Sequence, residues 1–229
     1  MAHYTPSANT STMLRAMDLE SCDQLLSTTR SVRRRLDLER PIESELLEAC
    51  IDLAAQAPTG ANREAWRFLV VTDRERKAAL GRLYRRAFQR YRSLREAQSH
   101  QAATTPAQPR PAQQALAESL DRFPALIVAC IEGRPDPHSV ASQVAFYGSI
   151  LPAAWSLMLA LRARGVGTTW TTLHLVHERE AAALLGIPEE VTQTVLLPVA
   201  YMHNARLRPA QRRPAREITY WDSWGRTRS

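Results

Sequence analysis

Lysine is nearly missing from this chain. Lys77 is the only one, so 29 of the 30 basic residues are arginine. Cysteine is sparse as well: Cys22, Cys50 and Cys130 cannot all pair within one chain, and their wide spacing excludes a close-set metal motif or a redox pair. Reduced thiols in a cytoplasmic protein are expected from that usage. Residues 1–18 are polar and lack the apolar centre of a signal peptide. No run elsewhere approaches the length of a membrane span, so the expectation is a soluble chain with no membrane partner. There is no G-x-S-x-G elbow to suggest a serine hydrolase. The Gly165-Val166-Gly167 pair neither fits G-x-G-x-x-G nor follows a strand, which argues against a dinucleotide fold.

What is present is an ordinary globular composition in 229 residues, 45% hydrophobic and 23% charged, with a net charge of +7. That length suits one large domain able to bury a sizeable core. Arginine favours planar, forked contacts with phosphate or carboxylate, so an anionic ligand is expected. The arginines are dispersed, and no zinc-finger, homeodomain or aromatic RNA-binding signature accompanies them, so nucleic acid is not expected as a partner.

Apolar residues Leu46, Leu47, Cys50, Ile51, Ala54 and Ala55 recur every three or four positions and predict a helix over 43–57, closed by Pro58 and Gly60. Strands are predicted at 66–71, 126–131 and 194–200, the last ending or turning irregular at Pro198. Arginine-rich helical sequence follows the first strand over 74–96. Residues 97–115, dense in Ala, Gln and Pro, predict an exposed loop or lid. A long helix is predicted over 140–164, with an apolar stripe of Val144, Tyr147, Leu151, Ala154, Leu157, Met158 and Leu161. Pro152 should kink or divide it near Gly148. Long helices with few strands and no regular alternation indicate an α+β fold.

Four segments carry candidate chemistry. In Arg30-Ser31-Val32-Arg33, two arginines flank a serine and can surround an oxyanion with forked donors and a hydroxyl; a charged loop explains the same residues. In Ala57-Pro58-Thr59-Gly60-Ala61-Asn62, Pro and Gly shape a tight loop while Thr59 and Asn62 offer donors and acceptors to a polar ring edge. In Gly165-Val166-Gly167-Thr168-Thr169-Trp170-Thr171-Thr172-Leu173, glycines permit close backbone approach and hydroxyls follow, although Gly165 also reads as a helix C-cap. Last, Arg212-Arg213-Pro214 precedes Tyr220, Trp221 and Trp224, an aromatic arm with too much apolar area to leave in water. His174 and His177 have metal-like spacing, but no further ligands complete a site, and surface histidines are expected.

In this order and spacing, Arg-Ser-x-Arg, Pro-Thr-Gly-Ala-Asn with Trp66 beyond it, Gly-x-Gly-Thr after a long helix, and Arg-Arg-Pro before Trp-Asp-x-Trp resemble the FMN-dependent nitroreductase family over about residues 28–224. The resemblance implies a central mixed sheet flanked by helices, in a domain-swapped homodimer whose C-terminal arm lies on the partner. It assigns residues 1–27 to an arm, 28–224 to the FMN-binding domain and 225–229 to a tail. It implies FMN held by Arg30, Ser31, Arg33, Arg212 and Arg213 at its phosphate and ring edge. Pro58, Thr59, Gly60 and Asn62 would reach it from the other subunit, and Trp170, Thr171, Thr172 and Leu173 would lie along the ring. No dedicated acid, base or nucleophile is implied. The expected activity passes hydride from NADPH or NADH through the flavin to a nitroaromatic, quinone or similar flat acceptor. A specialised oxidase or dehydrogenase and a silent flavin-binding regulator are the alternatives. The chain departs from the family pattern at Thr29, where a further arginine is usual, and at Glu64-Ala65, where Gln-Pro is usual.

Overall fold

The computed structural model describes residues 18–101 and 111–228. These fall into two compact units. One is Thr29–Leu207, and the other draws on the described residues before and after it.

The larger unit is organised by a five-stranded sheet. Strand β1 is Leu36–Asp37, β2 Trp66–Val71, β3 Ala125–Glu132, β4 Val166–Thr168 and β5 Val191–Met202. β5 pairs with β3 along one edge and, beyond the end of β3, with β1; its other edge takes β4, while β2 lies outside β3. All of these ladders are antiparallel, where a mixed sheet was expected. Among the described residues, parallel pairing is confined to the single bridge between Gly133 and Val191.

Helices cover both faces, which explains why the central strands read as unbroken apolar runs. Side chains alternate across a strand. On β3, Ala125, Ile127, Ala129 and Ile131 join one core with helices α2 (Ser44–Ala54) and α5 (Val140–Ala163). Leu126, Val128 and Cys130 join the other, with helices α3 (Arg74–Gln101), α4 (Pro111–Ser119) and α6 (Glu178–Leu185). Helix α1 (Leu19–Thr28) belongs to the smaller unit.

Several expectations change. Helix α5 runs unbroken through Pro152, because a proline removes one backbone donor while Ile150, Ala153, Ala154, Leu157, Met158 and Leu161 bury the helix on the core. It is apolar on nearly all sides, so Val140 stays 76% exposed, and Val144, which the predicted stripe included, is 67% exposed instead of buried. By length and composition alone α5 is also long enough to cross a membrane, contrary to the sequence expectation, although 44% of its most apolar window is buried in this fold. Residues 97–101 continue α3 and 111–115 open α4, so the predicted loop shortens; 102–110 lie outside the described residues.

Pro198 sits inside a twelve-residue central strand instead of ending it. Leu196 N–H donates to Thr171 O and Met202 N–H to Gly165 O, so the nitrogen of Pro198 faces the same edge. There it falls between the Thr171–Leu196 bridge and the β4 ladder, which stops at Thr168–Val199. The proline is tolerated where the neighbouring ladder is interrupted.

Candidate active-site cleft

Segment 30–36 is fastened to β4. Val32 N–H donates to Thr168 O at 2.8 Å, Thr169 Oγ1 donates to Val32 O at 2.7 Å, and Trp170 N–H donates to Ser31 Oγ at 3.1 Å. Gly167 makes this approach possible. A Cβ there would meet Leu36 Cδ2 at 2.8 Å, Met202 Cγ at 2.9 Å and Val32 Cβ at 3.3 Å. The glycine therefore admits the protein's own chain, not a ligand as the sequence suggested. Gly165, at φ +76, follows the C-cap of α5, the alternative left open for it.

Beyond β4 the chain forms the floor of a cleft of about 390 Å³. Trp170, Thr171, Thr172 and Leu173 line it together with Arg33. The opposite wall is Tyr84, Phe88 and Tyr91 of α3, with Gln113 and Leu116 of α4. Sequence reasoning missed this wall; aromatic residues at i, i+4 and i+7 in an otherwise basic helix were the available signal. Thr171 is held to the sheet by two backbone bonds with Leu196, and its Oγ1 lies 2.9 Å from Tyr84 Oη. Burial pushes the Tyr84 phenol above its usual range, opposed by its bond to Thr171 and the charge of Arg33. Among the described residues lining the cleft there is no carboxylate.

Arg30 lies outside that lining, but its Nε is buried without a hydrogen-bond partner. The Pro58–Asn62 loop is elsewhere. Thr59, Gly60 and Ala61 line a separate cleft of about 440 Å³ with Phe146 and Ser149 of α5. Thr59 Oγ1 donates to Arg63 O, and Gly60 N–H donates to Ser149 Oγ at 3.0 Å. Ala61 and Asn62 take left-handed φ values of 53° and 55°, an arrangement that aims the turn but disfavours side chains with a Cβ. Pro58 and Asn62 flank this second cleft without being among its lining residues. A single chain thus unites Arg33 with Trp170–Leu173 and leaves Pro58–Asn62 apart.

Arg212 and Arg213 are exposed in the smaller unit, ahead of the 3₁₀ turn Ala215–Glu217. The aromatic arm packs partly on itself: Tyr220 and Trp224 rings are 4.9 Å apart and Arg228 lies 3.5 Å over Trp221, while Trp224 remains 92% exposed. His174 overturns the surface expectation. It is fully buried with neither ring nitrogen hydrogen-bonded, and burial pushes its pKa down to about 4. The 3₁₀ turn Leu173–His177 directs it inward, while His177 bonds to Glu180 at 2.8 Å. No metal-binding cluster occurs among the described residues.

Fold and cleft together define an α+β protein with an aromatic-walled site that also holds Arg33, beside the central strand of its sheet. The family model for the nitroreductase family matches residues 26–201. A putative NADH dehydrogenase/NAD(P)H nitroreductase of Archaeoglobus fulgidus is 24% identical over 185 residues, covering 80% of this chain and 86% of the relative. An iodotyrosine deiodinase of Thermotoga neapolitana is 26% identical over 197 residues, 84% and 93% of the two chains. A solved structure of oxidized iodotyrosine deiodinase bound to FMN and 3-iodo-L-tyrosine superposes with a TM-score of 0.62 at 23% identity, covering 88% of this chain and 98% of that one. The chain belongs to the nitroreductase family.

Proposed function

We propose that the protein is an FMN-dependent oxidoreductase that takes hydride from NADPH or NADH and delivers it to a nitroaromatic, quinone or similar flat acceptor. The observation that carries this reading is the convergence of Arg33 and Trp170–Leu173 on one cleft, facing the aromatic wall of Tyr84, Phe88 and Tyr91. The residues present fit the cofactor. A buried guanidinium nitrogen without an acceptor is costly, and Arg30 Nε is such a donor, close in sequence to the floor-binding Ser31. A phosphate oxygen would satisfy it with a charge-assisted bond.

When bound, FMN supplies the hydride chemistry. The chain's part is orientation and charge. Arg30 and Arg33 would hold the phosphate and the pyrimidine side of the ring, and a fixed cation there favours negative charge as it develops. Ser31 would do two things: its Oγ accepts the Trp170 N–H and so fixes the floor, and its own hydroxyl proton is left to donate to the cofactor. The aromatic wall of α3 would stack on a flat partner and exclude water. We assign the Pro58–Asn62 loop and Arg212 and Arg213 to the same cofactor through a homodimer, with the C-terminal arm on the partner. The separation of the two clefts within one chain supports that assignment.

Purified protein mixed with FMN should show bound flavin absorbance, and NADPH or NADH should bleach it without oxygen. Protein that gains no flavin absorbance would sink the reading. Arg30→Ala should weaken FMN binding about tenfold or more, as expected for loss of a bond to a charged group; unchanged affinity removes Arg30 from the site. An acceptor panel should include halogenated tyrosines, given the similarity to iodotyrosine deiodinases.

A further inference from the structure

The Tyr84–Thr171 pair has one proton more than its own hydrogen bond uses. Two hydroxyls 2.9 Å apart share one proton between them, and the accepting partner must direct its own proton elsewhere. A phenol is the stronger acid and the weaker acceptor, so Tyr84 donates and Thr171 accepts. Thr171 Oγ1 receives at most one further contact, a long one from Leu173 N–H at 3.5 Å, which also leaves its proton unused. Its backbone cannot shift to find another partner, since both its N–H and its C=O are bonded to Leu196. Tyr84 is equally fixed, at 4% exposure, and both residues line the cleft.

We infer that Tyr84 is a positioning residue: by donating to Thr171 it sets the threonine hydroxyl as a hydrogen-bond donor into the cleft, toward an acceptor nitrogen of the bound flavin ring. This rests on the flavin reading above. The oxidised ring offers nitrogen lone pairs at its reacting edge, whereas two-electron reduction places N–H there. A fixed donor therefore favours the oxidised form. Without Tyr84 Oη the Thr171 hydroxyl turns freely and can accept as readily as donate, and that preference is lost.

The test uses the purified full-length protein loaded with FMN, in wild-type, Tyr84→Phe, Thr171→Val and doubly substituted forms. Bound-flavin absorbance is measured first, then the midpoint potential by redox titration, with no turnover required. One neutral hydrogen bond corresponds to about a fivefold change in the ratio of dissociation constants for oxidised and reduced flavin. For a two-electron couple that is about 20 mV. Tyr84→Phe and Thr171→Val should each raise the potential by about this amount, and the double variant should add nothing further, because the two act as one unit. Flavin bound by Tyr84→Phe at the wild-type potential would overturn the inference and leave the functional reading standing. Additive shifts in the double variant would overturn it too. Wild-type protein that binds no flavin would overturn both. Should Tyr84→Phe fold poorly, Thr171→Val still keeps the inference falsifiable, since a wild-type potential in that variant would overturn it.

Discussion

His174 shows how one side chain can make the fold sensitive to acid. Its imidazole is buried without a hydrogen-bond partner, and burial disfavours the charged form. The folded pKa, about 4, is below the usual value of 6.5. Between these values the unfolded chain binds the proton and the folded chain does not, so stability rises with pH across that window. The contribution is complete above pH 6.5 and is lost as pH falls through about 4, with a span on the order of 3 kcal/mol. Urea unfolding of wild type and His174→Leu from pH 4 to pH 7 checks this: the variant should show a flatter profile, and parallel profiles would show that another group is responsible. A surface residue was expected here because no further ligands completed the metal-like spacing of His174 and His177; local sequence does not show which way a 3₁₀ turn points a histidine.

At the scale of elements, the loop after α2 depends on α5 for its shape. Ser149 Oγ accepts Gly60 N–H at 3.0 Å and donates to Ala145 O at 3.1 Å, and Ser149 is buried. Ser149→Ala leaves the Gly60 N–H without this partner, and since Gly60 is exposed and water can replace it, the cost is about 1 kcal/mol. Chemical denaturation should show that loss, whereas a change below about 0.5 kcal/mol would mean the loop holds itself. Strands 66–71 and 126–131 were legible within a residue because both faces of the sheet are covered and the apolar runs are continuous. β1 and β4, two and three residues long, carry no periodic signal. Pro198 misled because its effect depends on the neighbouring strand, which local sequence does not name. The same limit applied to the site. Arg33 and Trp170–Leu173 stood out as motifs, while Tyr84, Phe88 and Tyr91 joined them only through packing of α3 on the 3₁₀ turn.

For the whole molecule, the homodimer proposed above is expected to use the exposed apolar residues of α5. Val140, Val144 and Trp155 are exposed on a helix whose other sides are in the core. Sedimentation of the wild type should give a dimer, and Val144→Glu should shift it toward monomer and reduce FMN retention together. A variant that remains dimeric with flavin bound would place the interface elsewhere. The bridge between Thr171 and Leu196 has a consequence at this scale as well. In the floor of the cleft Thr171 is bonded to the central strand through both its N–H and its C=O, so its amide is expected among the slow ones to exchange with solvent. Binding on such a surface carries little ordering cost on that side. If the cleft holds the proposed cofactor, substitutions in the wall of α3 and α4 are expected to change its residence time without loosening the bonds of Thr171.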